Sequence, residues 1–150
     1  MPIGSHLGGV MKISSIISGK KVSTISPNAT IHELVTELDR HRIGALVVSI
    51  DGEKIEGIVS ERDVVRAMPN KLNEITNLHV RDLMSVNVFT CTPDKNVSEI
   101  LALMTEKRVR HIPVVENGKM VSIVSIGDLV KSHIAEIEGE ASALRDYITH

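Results

Sequence analysis

The chain has 150 residues, enough for one compact domain or two fused small ones. Its 17 basic and 19 acidic residues leave a net charge of -2, which gives no general attraction to nucleic acid or to an anionic membrane. With one Phe, one Tyr and no Trp in a chain that is 42% hydrophobic, the core is aliphatic and recognition by base stacking is disfavoured. Residues 1–10, with Gly4-Ser5-His6 ahead of a fresh Met11, read as an appended leader. Residues 13–17 form a lead-in turn, and Val22 to Ser26 alternates like a strand until Pro27-Asn28 turns it. From Thr30 to His41, Ile31, Leu34, Val35 and Leu38 share one helical face, and Thr30-x-x-Glu33 is a capping-box start. Gly44 to Ile50 is an apolar β-branched run, Asp51-Gly52 a hairpin turn, and Ile55 to Val59 the partner strand. A second helix opens at Ser60 and runs through Ala67.

Met68 to His79, with Pro69 and three asparagines, has linker composition. The order then repeats. Val80 to Met84 is a lead-in, Val88 to Thr92 a strand, and Asn96 to Lys107 a helix. His111 to Val115 and Met120 to Val124 are strands around Asn117-Gly118. A long helix starts at Ser125 and extends toward Tyr147. On it Leu129, Val130, His133, Ile134, Ile137, Ala141, Leu144 and Ile148 recur every three or four residues, an apolar stripe that needs a partner. Cys91 is the single cysteine, so no intrachain disulfide forms, and its place in a strand-like run makes it a buried core thiol. No apolar stretch approaches the ~20 residues of a membrane span, and the N-terminus lacks a cationic start followed by an apolar core. The expected location is the cytoplasm.

The halves are one motif written twice. Ile58-Val59-Ser60-Glu61-Arg62-Asp63-Val64-Val65 recurs 65 residues later as Ile123-Val124-Ser125-Ile126-Gly127-Asp128-Leu129-Val130. Upstream the offset is 66: Pro27 matches Pro93, Ile31 matches Val97, and Val47-Val48 matches Pro113-Val114. A repeat of this length predicts a pseudo-twofold pair of units with equivalent clefts at their seam.

The tandem β-α-β-β-α unit resembles the CBS domain, and the pair resembles a Bateman module. The resemblance rests on Gly57-Ile-Val-Ser-Glu-Arg-Asp63 and Ser122-Ile-Val-Ser-Ile-Gly-Asp128, which match the family's glycine, hydrophobic, x, Thr/Ser, x, x, Asp signature. It rests also on the lead-ins Ile16-Ile17-Ser18 and Leu83-Met84-Ser85, and on the strand Arg110-His111-Ile112-Pro113-Val114. It covers residue 13 to about 135, with repeats at 11–68 and 80–135, a linker at 69–79 and a helical extension at 136–150. The chain looks like the stand-alone CBS-pair proteins of bacteria. Its implied fold is α/β (α+β): tandem repeats packed with pseudo-twofold symmetry and a long C-terminal helix. Two departures make the clefts unequal. Ser122 stands where the signature glycine belongs, and Gly44-Ala45 stands where the second copy has Arg110-His111.

Two readings of Ser-x-x-Asp stay open. In one, Ser60 or Ser125 is an N-cap whose oxygen accepts a backbone N–H, and Asp63 or Asp128 favours the positive helix terminus. In the other, the same carboxylate accepts the vicinal hydroxyls of a ribose, while serine hydroxyls and free N–H groups meet phosphate. The resemblance implies the second and adds the rest of a ligand set. Arg110 and His111 contact phosphate, reaching a nucleotide held by Asp63, and Pro113 belongs to the same strand motif. Arg62 and Arg66 supply charge in the first copy, Gly127 and Lys131 flank the second site, and Ser18 and Ser85 line the pocket mouths. The implied regulatory ligand is AMP, ADP, ATP or NAD(H), with the basic residues disfavouring S-adenosylmethionine; there is no catalytic cofactor. No metal-ligand spacing, nucleophile elbow or phosphate loop occurs, so no enzyme activity is expected. The expected protein is a homodimeric sensor with an unidentified protein target and neither nucleic acid nor membrane as partner. The other reading is a ligand-independent dimerisation scaffold.

Overall fold

The computed structural model describes residues 10–17, 19 and 22–149. The elements are β1 (Thr24–Ile25), α1 (Ile31–His41), β2 (Ala45–Val48), β3 (Gly57–Ser60), α2 (Glu61–Lys71), α3 (Val80–Leu83), α4 (Val97–Lys107), β4 (His111–Glu116), β5 (Lys119–Ser125) and α5 (Ile126–Thr149). Short 3-10 turns lie at Ile13–Ser15 and Ile75–Asn77. This is the mixed α/β architecture that the repeat implies, ending in the long helix. The chain divides into two compact units.

The first unit is a three-stranded sheet backed by α1. β1 runs parallel to β2, pairing Thr24 with Val47 and Ile25 with Val48. β2 runs antiparallel to β3, from Ala45 opposite Ser60 to Val48 opposite Gly57. The Thr30 hydroxyl accepts the Glu33 N–H at 3.1 Å and starts α1; Arg42 in the left-handed region ends it. The helix buries Ile31, Leu34 and Leu38 against Ile25, Leu46, Val48 and Val59. Each such aliphatic side chain contributes about 1.5–3 kcal/mol by leaving water. Val80, the first residue of α3, closes this core at 0% exposure, held by Val80 N–H to Ala29 O and Arg81 N–H to Pro27 O, both 2.9 Å.

The second unit is built on the hairpin β4–β5 with α4 and α5. Its core gathers Cys91, Val97, Ile100, Met104, Ile112, Val114, Val124 and Leu129 around Ile13, which is fully buried. Ile13 N–H bonds Lys95 O and Ser14 N–H bonds Pro93 O, both at 2.9 Å. Those carbonyls are the repeat counterparts of Ala29 and Pro27. Each unit therefore closes its core with the lead-in that precedes the other repeat in sequence.

Three elements differ from the sequence reading. The strand expected over 88–92 is a single parallel bridge, Cys91 with Val114. Pro113, the counterpart of Val47, has no N–H to give, so the second ladder rung is lost. The turn expected at Asp51-Gly52 is a loop across residues 49–56. There the Asp51 carboxylate accepts the N–H groups of Glu53 (2.9 Å) and Lys54 (2.8 Å), and Gly52 takes φ +84°. Those bonds hold the Asp51 carboxyl below its ordinary range. Asn117-Gly118 does form a two-residue turn, with φ of 54° and 77°. Finally, α2 does not stop at Ala67 but runs through Pro69 to Lys71. Pro69 lies in the last turn, where the carbonyl its missing N–H would have paired belongs to the exposed Val65 and is open to solvent, so the lost bond costs little.

Candidate functional site

Both Ser-x-x-Asp segments lie at a strand-to-helix junction, and both form the capping box. Ser60 ends β3 in extended conformation; its N–H donates to Asp63 Oδ2 at 2.7 Å, and its Oγ accepts Asp63 N–H at 3.3 Å. The Ser60 hydroxyl also donates to Asp63 Oδ2, at 3.1 Å. In the second unit Ser125 N–H donates to Asp128 Oδ2 and Asp128 N–H to Ser125 Oγ, each at 3.1 Å. The boxes use Oδ2 in both cases, and Oδ1 lies outside them. Each junction has a further tie that the sequence did not announce. Glu61 N–H donates to Gly44 O at 2.9 Å, and Ile126 N–H to Arg110 O at 2.8 Å. The first helical residue is thereby fastened to the residue that enters the neighbouring strand. The only sequence signal for this was the alignment of Gly44 with Arg110.

These ties decide which candidate residues meet. In the first unit Ser85 reaches β3 by a two-bond bridge, Ile58 N–H to Ser85 O at 3.0 Å and Ser85 N–H to Ile58 O at 2.9 Å. Ser85 thus lies against the start of β3, while Ser60 and Asp63 are at its end, with Arg62 and Arg66 exposed on the first turns of α2. Gly57 makes this possible: a Cβ there would lie 2.8 Å from Ser85 O and 2.9 Å from Met84 Sδ. At the second junction Arg110 is exposed, His111 half-buried, and Pro113 buried within β4. Arg110 lies beside Ser125 through its carbonyl. Gly127, Asp128 and Lys131 are exposed on the first turns of α5. Gly127 is not required by packing, since an added Cβ would meet only Ser125 Oγ at 3.8 Å. Arg110 and His111, which the resemblance assigns to a nucleotide on Asp63, have their local neighbours at the junction of Asp128. Ser18 lies outside the described residues.

The chemistry available is recognition. A carboxylate whose Oδ2 accepts the N–H of the cap serine keeps Oδ1 for hydroxyl donors, and the helix start beside it favours an anion. An open groove of about 480 Å³ adjoins the first junction, lined by Val35, Leu38, Asp39, Arg42, Ile43, Gly44 and Glu61. Neither Ser60 nor Asp63 lines it, and Asp39 with Glu61 makes it unsuited to phosphate. Among the described residues no group of three or more His, Cys, Asp or Glu is placed to hold a metal ion. No helix of the described residues is long and apolar enough to cross a membrane. The Cys91 thiol is buried as expected, and desolvation pushes its pKa up to about 11, so it is no nucleophile at neutral pH.

Comparison with known proteins agrees with this geometry. Residues 13–70 and 80–134 each match the CBS domain. A mitochondrial CBS domain-containing protein of Arabidopsis thaliana is 36% identical over 123 residues, which is 79% of this chain and 60% of that protein. The chain thus spans less than two thirds of that relative. The crystal structure of a CBS-domain containing protein from Agrobacterium tumefaciens superposes with a TM-score of 0.76 at 32% identity, covering 82% of this chain and 99% of that one. Two more distant structures share the fold. One is a CBS domain pair in complex with 5-methylthioadenosine and S-adenosyl-L-methionine (TM-score 0.74, 24% identity, 85% of this chain and 98% of that one). The other is CBSX2 in complex with AMP (TM-score 0.69, 19% identity, 83% and 97%).

Proposed function

We propose, from the premise that this chain belongs to the CBS-domain family, that it is a regulatory module sensing an adenosine-containing ligand. The observation that carries this reading is the pair of anchored carboxylates. Asp63 and Asp128 are each fixed through Oδ2, beside a helix start, with Oδ1 outside the capping box. A ribose diol fits such an acceptor, and fold neighbours solved with AMP and with methylthioadenosine support an adenosine ligand. Arg62 and Arg66 at one junction, and Arg110, His111 and Lys131 at the other, favour a phosphorylated member: AMP, ADP, ATP or NAD(H). Ser60, Ser125, Ser85 and Gly127 belong to the same proposed ligand set, as do Pro113, buried within β4, and Ser18. The reading assigns no reaction. Binding shifts the junctions between states, by no more than the ligand's differential affinity for them, and a protein target reads the shift. The protein acts in the cytoplasm as a homodimer, joined through the exposed apolar residues of α5.

The capping boxes themselves favour a second reading, a scaffold in which Ser and Asp only start helices. Thermal denaturation with AMP, ADP, ATP, NAD⁺, NADH and S-adenosylmethionine separates the two. A ligand at 100 times its Kd adds about 2.7 kcal/mol, a rise of several degrees in Tm. Titration calorimetry of Asp63→Ala and Asp128→Ala then assigns the sites. Each variant is expected to lose one binding event and keep its fold. No shift with any ligand, and no nucleotide released on denaturing the purified protein, would leave the scaffold reading standing.

A further inference from the structure

Helix α5 has two distinct faces, and the second one specifies its own partner. Up to Glu136 the helix is seated on its unit: Leu129 is fully buried, Ile126 and His133 are half-buried, and the Glu136 carboxylate takes the Met11 N–H. A second stripe runs Val130, Ile134, Ile137, Ala141, Leu144, Ile148, separated by 4, 3, 4, 3 and 4 residues. That alternation is the core pattern of a coiled coil, with Ile134, Ala141 and Ile148 at a and Val130, Ile137 and Leu144 at d. At about 100° per residue this seam lies roughly a quarter turn round the helix from Leu129. The unit therefore sits beside the seam and does not cover it. Val130 is 43% exposed, Ile134 and Ile137 51%, Leu144 60% and Ile148 72%. All of Ile137–Ile148 is exposed, and so short a helix is marginal in water without a partner face.

The flanking charges identify the partner and its direction. The e positions are Lys131, Glu138 and Arg145; the g positions are His133, Glu140 and Tyr147. Two copies in parallel register pair each g residue with the e residue five further on in the other copy. That sets Glu140 against Arg145 and His133 against Glu138, each pair occurring twice by symmetry. Two copies run antiparallel over the same apolar overlap pair e with e and g with g. That sets Glu138 against Glu138, Glu140 against Glu140, and Lys131 against Arg145, so every charged pairing repels. We propose that α5 of one protomer pairs with α5 of a second copy as a parallel, in-register two-stranded coiled coil. This rests on the homodimer reading above and adds its orientation.

Disulfide trapping of the full chain tests it. Leu144→Cys is oxidised mildly at a concentration where sedimentation shows the unmodified protein's mass. In the parallel pairing the two position-144 residues face each other, so a covalent dimer is expected, whereas the wild type, whose Cys91 is buried, gives none. A mixture of Ile134→Cys and Leu144→Cys proteins is expected to give no mixed dimer, which only the antiparallel pairing allows. Glu140→Arg is expected to weaken association about tenfold, and Glu140→Arg with Arg145→Glu to restore it. A mixed 134–144 disulfide, with no 144–144 product, overturns the orientation and leaves the homodimer standing. A wild-type mass of one or three chains overturns both. Nucleotide calorimetry on the same proteins is read separately, so failure of the sensor reading is not confused with either result.

Discussion

The two strand-to-helix junctions share a backbone and differ in almost every side chain that could touch a ligand. Ser60–Asp63 and Ser125–Asp128 make the same capping box, and Glu61 and Ile126 make the same tie to the entering strand. Beyond that the repeats part company. Gly57 corresponds to Ser122, Arg62 to Gly127, and Gly44 to Arg110. Positive charge lies on the helix in the first unit and chiefly at the strand entrance in the second. The frame needs only a hydroxyl, a carboxylate and four main-chain groups, so it survives duplication with its geometry intact. Recognition depends on side chains the frame does not use, and these are free to diverge.

Substituting the signature glycine breaks that comparison most severely. Gly57→Val places a Cβ 2.8 Å from the Ser85 carbonyl, against backbone that cannot swing aside. The expected cost is about 3 kcal/mol, read as a drop in the urea midpoint, together with loss of the Ile58–Ser85 bridge. The reciprocal change, Ser122→Gly, removes no close contact of this kind and is expected to cost about 1 kcal/mol or less, the backbone entropy of glycine. Equal losses would mean that the two junctions approach their lead-ins alike.

The cores differ too, because Cys91 occupies the place of Ile25. Burial raises the thiol pKa from 9.0 to about 11, so the folded state holds the proton more tightly than the unfolded one. The stabilisation is present in full below pH 9 and is lost as pH rises from 9 through 11, roughly 2–3 kcal/mol over that window. Cys91→Val makes the second core resemble the first. Its stability curve is expected to be flatter than wild type between pH 9 and 11, and unchanged in slope between pH 6 and 8. Parallel curves through the alkaline range would show that the thiol titrates normally.

Ligand charges come next in size. Arg110→Ala is expected to weaken binding of a phosphorylated nucleotide at the Asp128 junction about tenfold, the loss of one charge-assisted bond. Arg62→Ala should do the same at the Asp63 junction, and neither should alter binding of an uncharged adenosine. Calorimetry of each variant with AMP and with adenosine reads both. An effect of Arg110→Ala on the event removed by Asp63→Ala, and not on the other, would reassign Arg110 to the first site.

Much of this was legible in the chain because local chemistry determined it. Thr30-x-x-Glu33, Ser60-x-x-Asp63 and Ser125-x-x-Asp128 cap the helices they announce, and Asn117-Gly118 turns where its positive φ values allow. What stayed hidden depended on distant partners. Nothing near Val80 or Ile13 says that each lead-in closes the core of the unit built from the other repeat. That choice is made by main-chain bonds to Ala29 and Lys95, which carry no residue signal. Cys91 kept only one bridge because Pro113, 22 residues on, had no N–H to offer. Pro69 misled in the other direction, because a proline in the last turn of a helix costs little when the carbonyl it fails to pair is wet. At the candidate site, the capping boxes of Ser60–Asp63 and Ser125–Asp128 were readable from spacing. The tie of Glu61 to Gly44, a bond between main chains, was not.

The smallest test bears directly on whether the serines cap or bind. Both serines are half-buried, but the Ser60 hydroxyl accepts the Asp63 N–H and also donates to Oδ2 of the half-buried Asp63, whereas the Ser125 hydroxyl accepts the Asp128 N–H beside an exposed carboxylate. Replacing an N-cap serine by alanine costs about 1 kcal/mol. Ser60→Ala is expected at or slightly above that value and Ser125→Ala slightly below it, in urea titrations run side by side. Replacement by glycine should cost only a few tenths in either place, since an N-cap glycine leaves its helix-starting N–H groups open to water. If capping is the whole role of these residues, all four variants keep wild-type nucleotide affinity while their stabilities separate. If the hydroxyls also meet phosphate, affinity falls with alanine and with glycine alike, although glycine barely moves stability. The two roles are therefore separated by a substitution that disturbs one of them and nearly spares the other.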